Sequence, residues 1–267
     1  MKTIITLILM PIYLIADTSL SEIEALASAD PKPFVIVEAQ GSGVVNRAQG
    51  VVISSQGDVL SAAHVSWVGV NKSFSEKFRI SFRGGDKAPA DGCVHIHKTS
   101  FTDKEGKLFF EHYYNAELIK DNESRFIGDN SDVALFKIKA EGVFPKIDFY
   151  SKKKPKVKMG DVFHLCHYNF PNKPAEPTFL INPVEIVGMA QTSSGTQYLA
   201  KGFYRVGSSG GALLKDGKLI GIQSAGYTIN AKGIGEIPLG LISFQLVWGD
   251  MVESILSLKT GKSSQNE

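Results

Sequence analysis

Gly50-Val51-Val52-Ile53-Ser54-Ser55-Gln56-Gly57-Asp58-Val59-Leu60-Ser61-Ala62-Ala63-His64-Val65 is the stretch on which the reading of the fold turns. Two short β-branched runs, Gly50 to Ile53 and Asp58 to Leu60, stand on either side of the Ser55-Gln56-Gly57 turn signal. The same grammar recurs upstream at Phe34-Val35-Ile36-Val37 and downstream at Phe78 to Phe82, Val94 to His97 and Ala134 to Ile138. It continues in the second half at Asp161 to Leu165, Thr178 to Ile181, Val184 to Val187 and Leu219 to Ile222. Many short strands separated by turns predict an all-β barrel or sandwich rather than a βαβ protein. A helical period emerges only near the end, where Leu246, Met251, Ile255 and Leu256 predict an amphipathic helix from about Gln245 to Leu258.

The 267 residues, 43% of them hydrophobic, suffice for a core in one or two lobes. Ser151 to Lys158 reads Ser-Lys-Lys-Lys-Pro-Lys-Val-Lys, an exposed connector dividing a first half, 34–150, from a second half with the helix, 151–258. No aromatic residue interleaves these lysines and the net charge is +2, so no nucleic-acid partner is expected. Lys2 followed by an apolar run from Ile4 to Ile15, broken by Thr6 and Pro11, fits a signal peptide and is short for a bilayer span. Residues 1–20 are therefore assigned to a signal, 21–33 to an N-terminal extension, and 259–267 to a disordered polar tail. Cleavage after Ala16 and at Ala27-Ser28-Ala29 both stay open, as does an N-terminal helix or uncleaved anchor. The expected location is secreted or periplasmic, without stable membrane insertion after signal removal. Two cysteines, Cys93 and Cys166, are too few for a disulfide scaffold, and nothing beside either suggests a partner.

Three short segments carry chemistry. In Gly207-Ser208-Ser209-Gly210-Gly211, small residues let the backbone turn sharply around a hydroxyl nucleophile. The N–H groups of Gly207 and Ser209 are then the natural oxyanion donors. Only Ser209 has a Gly-Gly pair after it and a glycine two places before it, which sets it apart from Ser208. A serine hydroxyl needs a base at neutral pH, and His64, beside the small Ala62 and Ala63, suits that task. Asp132 heads the apolar run Val133-Ala134-Leu135, so its carboxylate is partly buried and needs a partner; an imidazole N–H would serve. His95, His97 and His112 make only a weak metal pattern, and neither metal nor cofactor is expected.

Taken together, the His64, Asp132 and Ser209 segments resemble those of trypsin-like peptidases and are closest to the bacterial HtrA/Deg group. The order His, Asp, Ser is the chymotrypsin order. The resemblance implies two packed six-stranded antiparallel β-barrels followed by a C-terminal α-helix, with the site in the cleft between them. It implies a serine endopeptidase with a His64–Asp132–Ser209 triad, acting on a protein or peptide. Gly221-Ile222-Gln223-Ser224-Ala225-Gly226 resembles the family's substrate-pairing strand, which makes Ser224, Ala225 and Gly226 substrate-binding residues and Ser224 a partner of Asp132.

The departures are specific. Ser208 stands where the family usually has Asp or Asn, and no Ile-Val-Gly-Gly start is present, so trypsin-style activation is not expected. The stretch between His64 and Asp132 is long enough for an extra hairpin or loop, and no PDZ-like domain is expected after the helix. The wall segment Lys201 to Val206 has no acidic residue, while Gly226 and Gly240 would leave the pocket open, which points to an apolar or small residue before the scissile bond. Two other classes remain: an inactive or latent relative that binds peptides as an added strand, and a structural or adhesive β-protein in which the three segments never meet. The sequence indicates no oligomeric state.

Overall fold

The β-branched runs form fourteen strands among the described residues: β1 (Phe34–Gly41), β2 (Val44–Val52), β3 (Asp58–Ser61), β4 (Trp67–Val68), β5 (Ser73–Phe74), β6 (Lys77–Phe82), β7 (Cys93–His97), β8 (Ala134–Lys137), β9 (Val162–Asn169), β10 (Thr178–Thr192), β11 (Gly195–Gly202), β12 (Ala212–Lys215), β13 (Lys218–Ala231) and β14 (Gly235–Leu246). Two helices frame them, α1 (Thr18–Ser28) and α2 (Gly249–Lys259). The structure is a computed structural model and describes residues 18–29, 32–41, 44–68, 73–74, 77–82, 93–97, 132–138, 142–170, 177–192, 195–205, 207–231 and 235–259. The apolar N-terminal run with Ala16, the long stretch before Asp132 with His112, and the tail beyond Lys259 lie outside the described residues, as do the side chains of Cys93, His95 and His97.

The first half is a six-stranded antiparallel sheet in the order β7-β6-β1-β2-β3-β8. The turn from β2 to β3 is set by Ser54, whose Oγ accepts the N–H groups of Gln56 (3.2 Å) and Asp58 (3.1 Å) and donates to Asp58 Oδ2 (2.5 Å). Such side-chain turns are what Ser at this position favours. Asp58 is buried and is paired across the β3–β8 ladder with Lys137 at 3.0 Å, so the carboxylate enters the interior with its countercharge. β1 reads Phe-Val-Ile-Val, with all four side chains buried, because the core of this sheet runs on into the second half through Tyr168, Ala212, Leu214 and Leu219.

The second half closes on itself as a six-stranded barrel, β10-β11-β14-β13-β12-β9. Its interior holds Phe163, Leu165, Val184, Ile186, Leu213, Ile242 and Phe244, with Phe163 and Phe244 edge to face at 6.2 Å. The expected two-lobed, mainly β architecture is therefore present. The halves differ in one respect: the C-terminal barrel is closed, whereas the N-terminal six strands form an open sheet among the described residues.

Several details depart from the sequence expectation. The two strands expected at Thr178–Ile181 and Val184–Val187 are one strand, β10, running through Pro183. The helix begins at Gly249 rather than Gln245, because Gln245 and Leu246 complete β14 opposite Ile222 and Gly221. The segment expected as an extension forms α1, which buries Ile23 completely and lays Glu22 over Gly217 in the β12–β13 turn. The Lys-rich connector is exposed at Lys152, Lys153, Lys154, Lys156 and Lys158, as expected. Its backbone is nevertheless fixed, since the carbonyls of Ser151 and Lys152 accept the first N–H groups of α2 (3.1 and 2.8 Å). Cys166 is a buried free thiol, and burial raises its pKa. No helix among the described residues is long and apolar enough to cross a membrane.

Candidate active site

His64 sits on a short 3-10 turn, Ala63–Ser66, that leaves β3. Asp132 lies just before β8, the neighbour of β3. The two loops are tied at the backbone and at the side chains. Ala63 N–H donates to the Asp132 carbonyl (3.2 Å), His64 N–H donates to Asp132 Oδ1 (2.8 Å), and His64 Nδ1 lies 2.7 Å from Asp132 Oδ2. An ionised carboxylate can only accept, so Nδ1 carries a proton, and in the neutral ring this tautomer leaves the lone pair on Nε2, as a base requires. The Asp132 side chain is 8% exposed and that of His64 38%, so the carboxylate is covered while the ring faces the cleft.

Ser209 enters from the barrel, at the turn that opens into β12. Gly207 has φ 88° and Ser208 N–H donates to the Arg205 carbonyl at 3.0 Å, a four-residue turn whose third position favours glycine. Gly210 is required by proximity: a Cβ there would stand 2.1 Å from the Gln49 carbonyl oxygen and 2.5 Å from Ser61 Oγ. The turn separates the two serines. Ser208 is 1% exposed, whereas Ser209 is half-buried, with its Oγ donating to the Ser224 carbonyl at 3.3 Å.

Ser224 joins the groups. Between Gln223 and Ala225 the ladder with β14 slips by one residue, and Ser224 is the extra one. A bulge of this kind re-aims its side chain. Here Ser224 Oγ donates to Asp132 Oδ2 at 2.5 Å and accepts from Gln197 Nε2 at 3.0 Å. One carboxylate thus holds the His64 ring and Ser224, while the backbone of Ser224 holds Ser209. Side-chain hydrogen bonds thus bring His64 and Ser224 to Asp132, and Ser209 is linked to this group through the Ser224 carbonyl. Ala225 and Gly226 follow on β13, whose pairing with β12 reaches only to Ile222. From Ser224 onward no strand among the described residues pairs with that edge of β13, an arrangement open to an added strand. Gly226 departs from one expectation. The pocket is not open beside it, because the Tyr204 ring fills the space next to its backbone.

Three site residues escaped the sequence reading. Gln49, buried on β2, crosses from the first half to the second. Its N–H donates to the Ser209 carbonyl (2.8 Å), its Nε2 to the carbonyls of Gly207 (2.8 Å) and Tyr168 (3.1 Å), and its Oε1 accepts the Tyr168 N–H (3.0 Å). Gln197 supports Ser224, and Tyr204 bonds the Tyr227 carbonyl through its hydroxyl. Nothing in local sequence marks a lone Gln or Tyr whose partners lie on other strands. Beyond the site, His167 is buried, with Nδ1–H directed to its neighbour's carbonyl (3.2 Å) and Nε2 facing the Asn182 amide (3.1 Å); burial lowers its pKa to about 4. Among the described residues no group of three or more His, Cys, Asp or Glu side chains could hold a metal ion.

No family model matches the sequence, and no curated protein matches it. Solved structures do. The HtrA-type protease AlgW with a tripeptide aligns with 90% of this chain at a TM-score of 0.57 and 18% identity. A serine-to-alanine variant of AlgW, also with a tripeptide, aligns with 89% at a TM-score of 0.56 and 17% identity. The alignments cover 64% and 63% of those chains, respectively. At this identity the likeness establishes the fold, the trypsin-like fold of an HtrA-type protease.

Proposed function

We propose that this protein is a serine endopeptidase that hydrolyses peptide bonds through Ser209, His64 and Asp132. The observation that carries the reading is the convergence on one carboxylate: Asp132 fixes the His64 ring and Ser224, and Ser224 holds Ser209. His64 takes the Ser209 proton as the hydroxyl attacks the substrate carbonyl. Asp132 keeps the imidazole in the Nδ1–H tautomer and stabilises the imidazolium that forms. The N–H groups of Gly207 and Ser209 receive the oxyanion. His64 then protonates the leaving amine, and water, activated by the same ring, releases the acyl group. The substrate backbone adds to the edge of β13 at Ser224, Ala225 and Gly226, which makes a protein or peptide the partner. The apolar run from Ile4 to Ile15 supports secretion or a periplasmic location.

An unstructured protein substrate tests the proposal. Purified protein is incubated with denatured casein beside a Ser209→Ala variant of equal folded content. Fragmentation by the wild type and none by the variant is the expected result. A folded wild type that leaves casein, and peptide pools derived from it, intact contradicts the proposal and favours a peptide-binding relative.

A further inference from the structure

Tyr204 fills the space beside the backbone of Gly226, next to the edge of β13 left unpaired among the described residues. It follows β11 on the wall segment that leads to Gly207, and it is 5% exposed. Its ring lies against Gly226, where an added Cβ would stand 1.9 Å from Cε2, 2.4 Å from Cδ2 and 2.5 Å from Cζ. Its hydroxyl is anchored to the Tyr227 carbonyl. The ring is therefore held at both ends beneath the strand. Gly226 itself is exposed, so this glycine marks the surface edge and the tyrosine the floor beneath it. Neighbouring Phe203 is half exposed, with the Arg205 guanidinium 4.9 Å from its ring, and the two form the outer rim.

A peptide whose carbonyl reaches Ser209 while its backbone lies along Ser224 to Gly226 directs its preceding side chain between this edge and the wall from Phe203 to Arg205. Glycine at 226 would admit that side chain, and the Tyr204 ring takes up the room so gained. We infer that Tyr204 determines specificity by closing the pocket, so that cleavage follows residues with small side chains, glycine, alanine or serine. A larger side chain would have to push the ring off the Tyr227 carbonyl, and overpacking of this kind is unfavourable. The inference rests on the endopeptidase reading and names the substrate class for it.

The test uses peptides identical except for the residue before the scissile bond, which is Ala, Val, Leu or Phe, with labelling by a small fluorophosphonate as a control for the nucleophile. Wild type should cleave after Ala and discriminate against Leu and Phe by at least about 10- to 200-fold in kcat/KM, the range that a single methylene commands. Tyr204→Ala should raise kcat/KM for Leu or Phe by at least about tenfold, and Tyr204→Phe should keep the wild-type ranking. A wild type that prefers Leu or Phe overturns the inference, even if Tyr204→Ala does not fold. So does a labelled Tyr204→Ala variant with an unchanged ranking. A wild type that neither labels nor cleaves any peptide removes the endopeptidase reading itself, a failure distinct from a wrong ranking.

Discussion

The N-terminal sheet and the C-terminal barrel divide the site by task. On the proposed reading the sheet holds the proton-handling pair, and it does so locally: two loops at adjacent strands β3 and β8, tied through backbone and side chains alike. On the same reading the barrel holds the nucleophile and the substrate edge, set by a glycine turn and by the bulge at Ser224. Neither half owns a complete triad. Besides a shared apolar core, polar contacts join them at the site, Gln49 to Ser209, Gly207 and Tyr168 on one side and Ser224 to Asp132 on the other. The His–Asp pair is held within its own half, whereas its alignment with Ser209 depends on contacts between the halves.

The comparison can be broken at either half. Ser209→Ala, in the barrel, should lower kcat on a good peptide by about 10⁴-fold or more. Asp132→Asn, in the sheet, should cost about 10⁴-fold by favouring the wrong imidazole tautomer. If the pair acts as one unit, His64→Ala combined with Asp132→Asn should be little worse than His64→Ala alone; additive losses in kinetics of the three variants would contradict that unit.

The seam gives the next effect. Gln49→Ala removes this partner from the Gly207 carbonyl and the Tyr168 N–H, while the Tyr168 carbonyl keeps its contact with His167 Nδ1; a buried group left unpaired costs about 1–3 kcal/mol. Urea unfolding should show a loss of about 3 kcal/mol, together with slower peptide hydrolysis. A variant that loses stability at full hydrolytic rate would show that Gln49 fastens the halves without positioning Ser209.

Acid should act on the barrel. His167 has its pKa lowered from 6.5 to about 4, so between these values the unfolded chain binds a proton that the folded one does not. Stability from this residue is complete above pH 6.5 and falls as the pH drops toward 4, by about 3 kcal/mol in all. Unfolding midpoints from pH 7 to 4 should fall less steeply in His167→Gln than in wild type; equal slopes would exclude His167 as the cause. The smallest effect is at Cys166. Buried and with its pKa raised, it should resist alkylation in the native protein and react on unfolding, as peptide mapping would read.

How much of this was legible in sequence follows from where each contact is made. His64, Asp132 and Ser209 each sit in a short local pattern, a small-residue turn after a strand, a carboxylate heading an apolar run, and a serine among glycines, so local reading finds them. Ser224 was found only through a family resemblance. Gln49 was invisible because its partners lie 119 and 158 residues away, across the seam. Tyr204 read as an ordinary wall residue because the room at Gly226 looks empty until the ring is seen in it. The helix start was misplaced for a related reason: Leu246 shares the helical period of Met251, but its backbone is claimed by β13.

The central claim is that the halves converge on Ser209 as an activated nucleophile. Fluorophosphonate labelling of the purified protein, with the adduct mapped by mass spectrometry, tests it most directly. The expected result is a single adduct on Ser209 that persists in Ser208→Ala, slows in Asp132→Asn and vanishes in Ser209→Ala. A folded wild type that takes no label, or an adduct on Ser208, would contradict it.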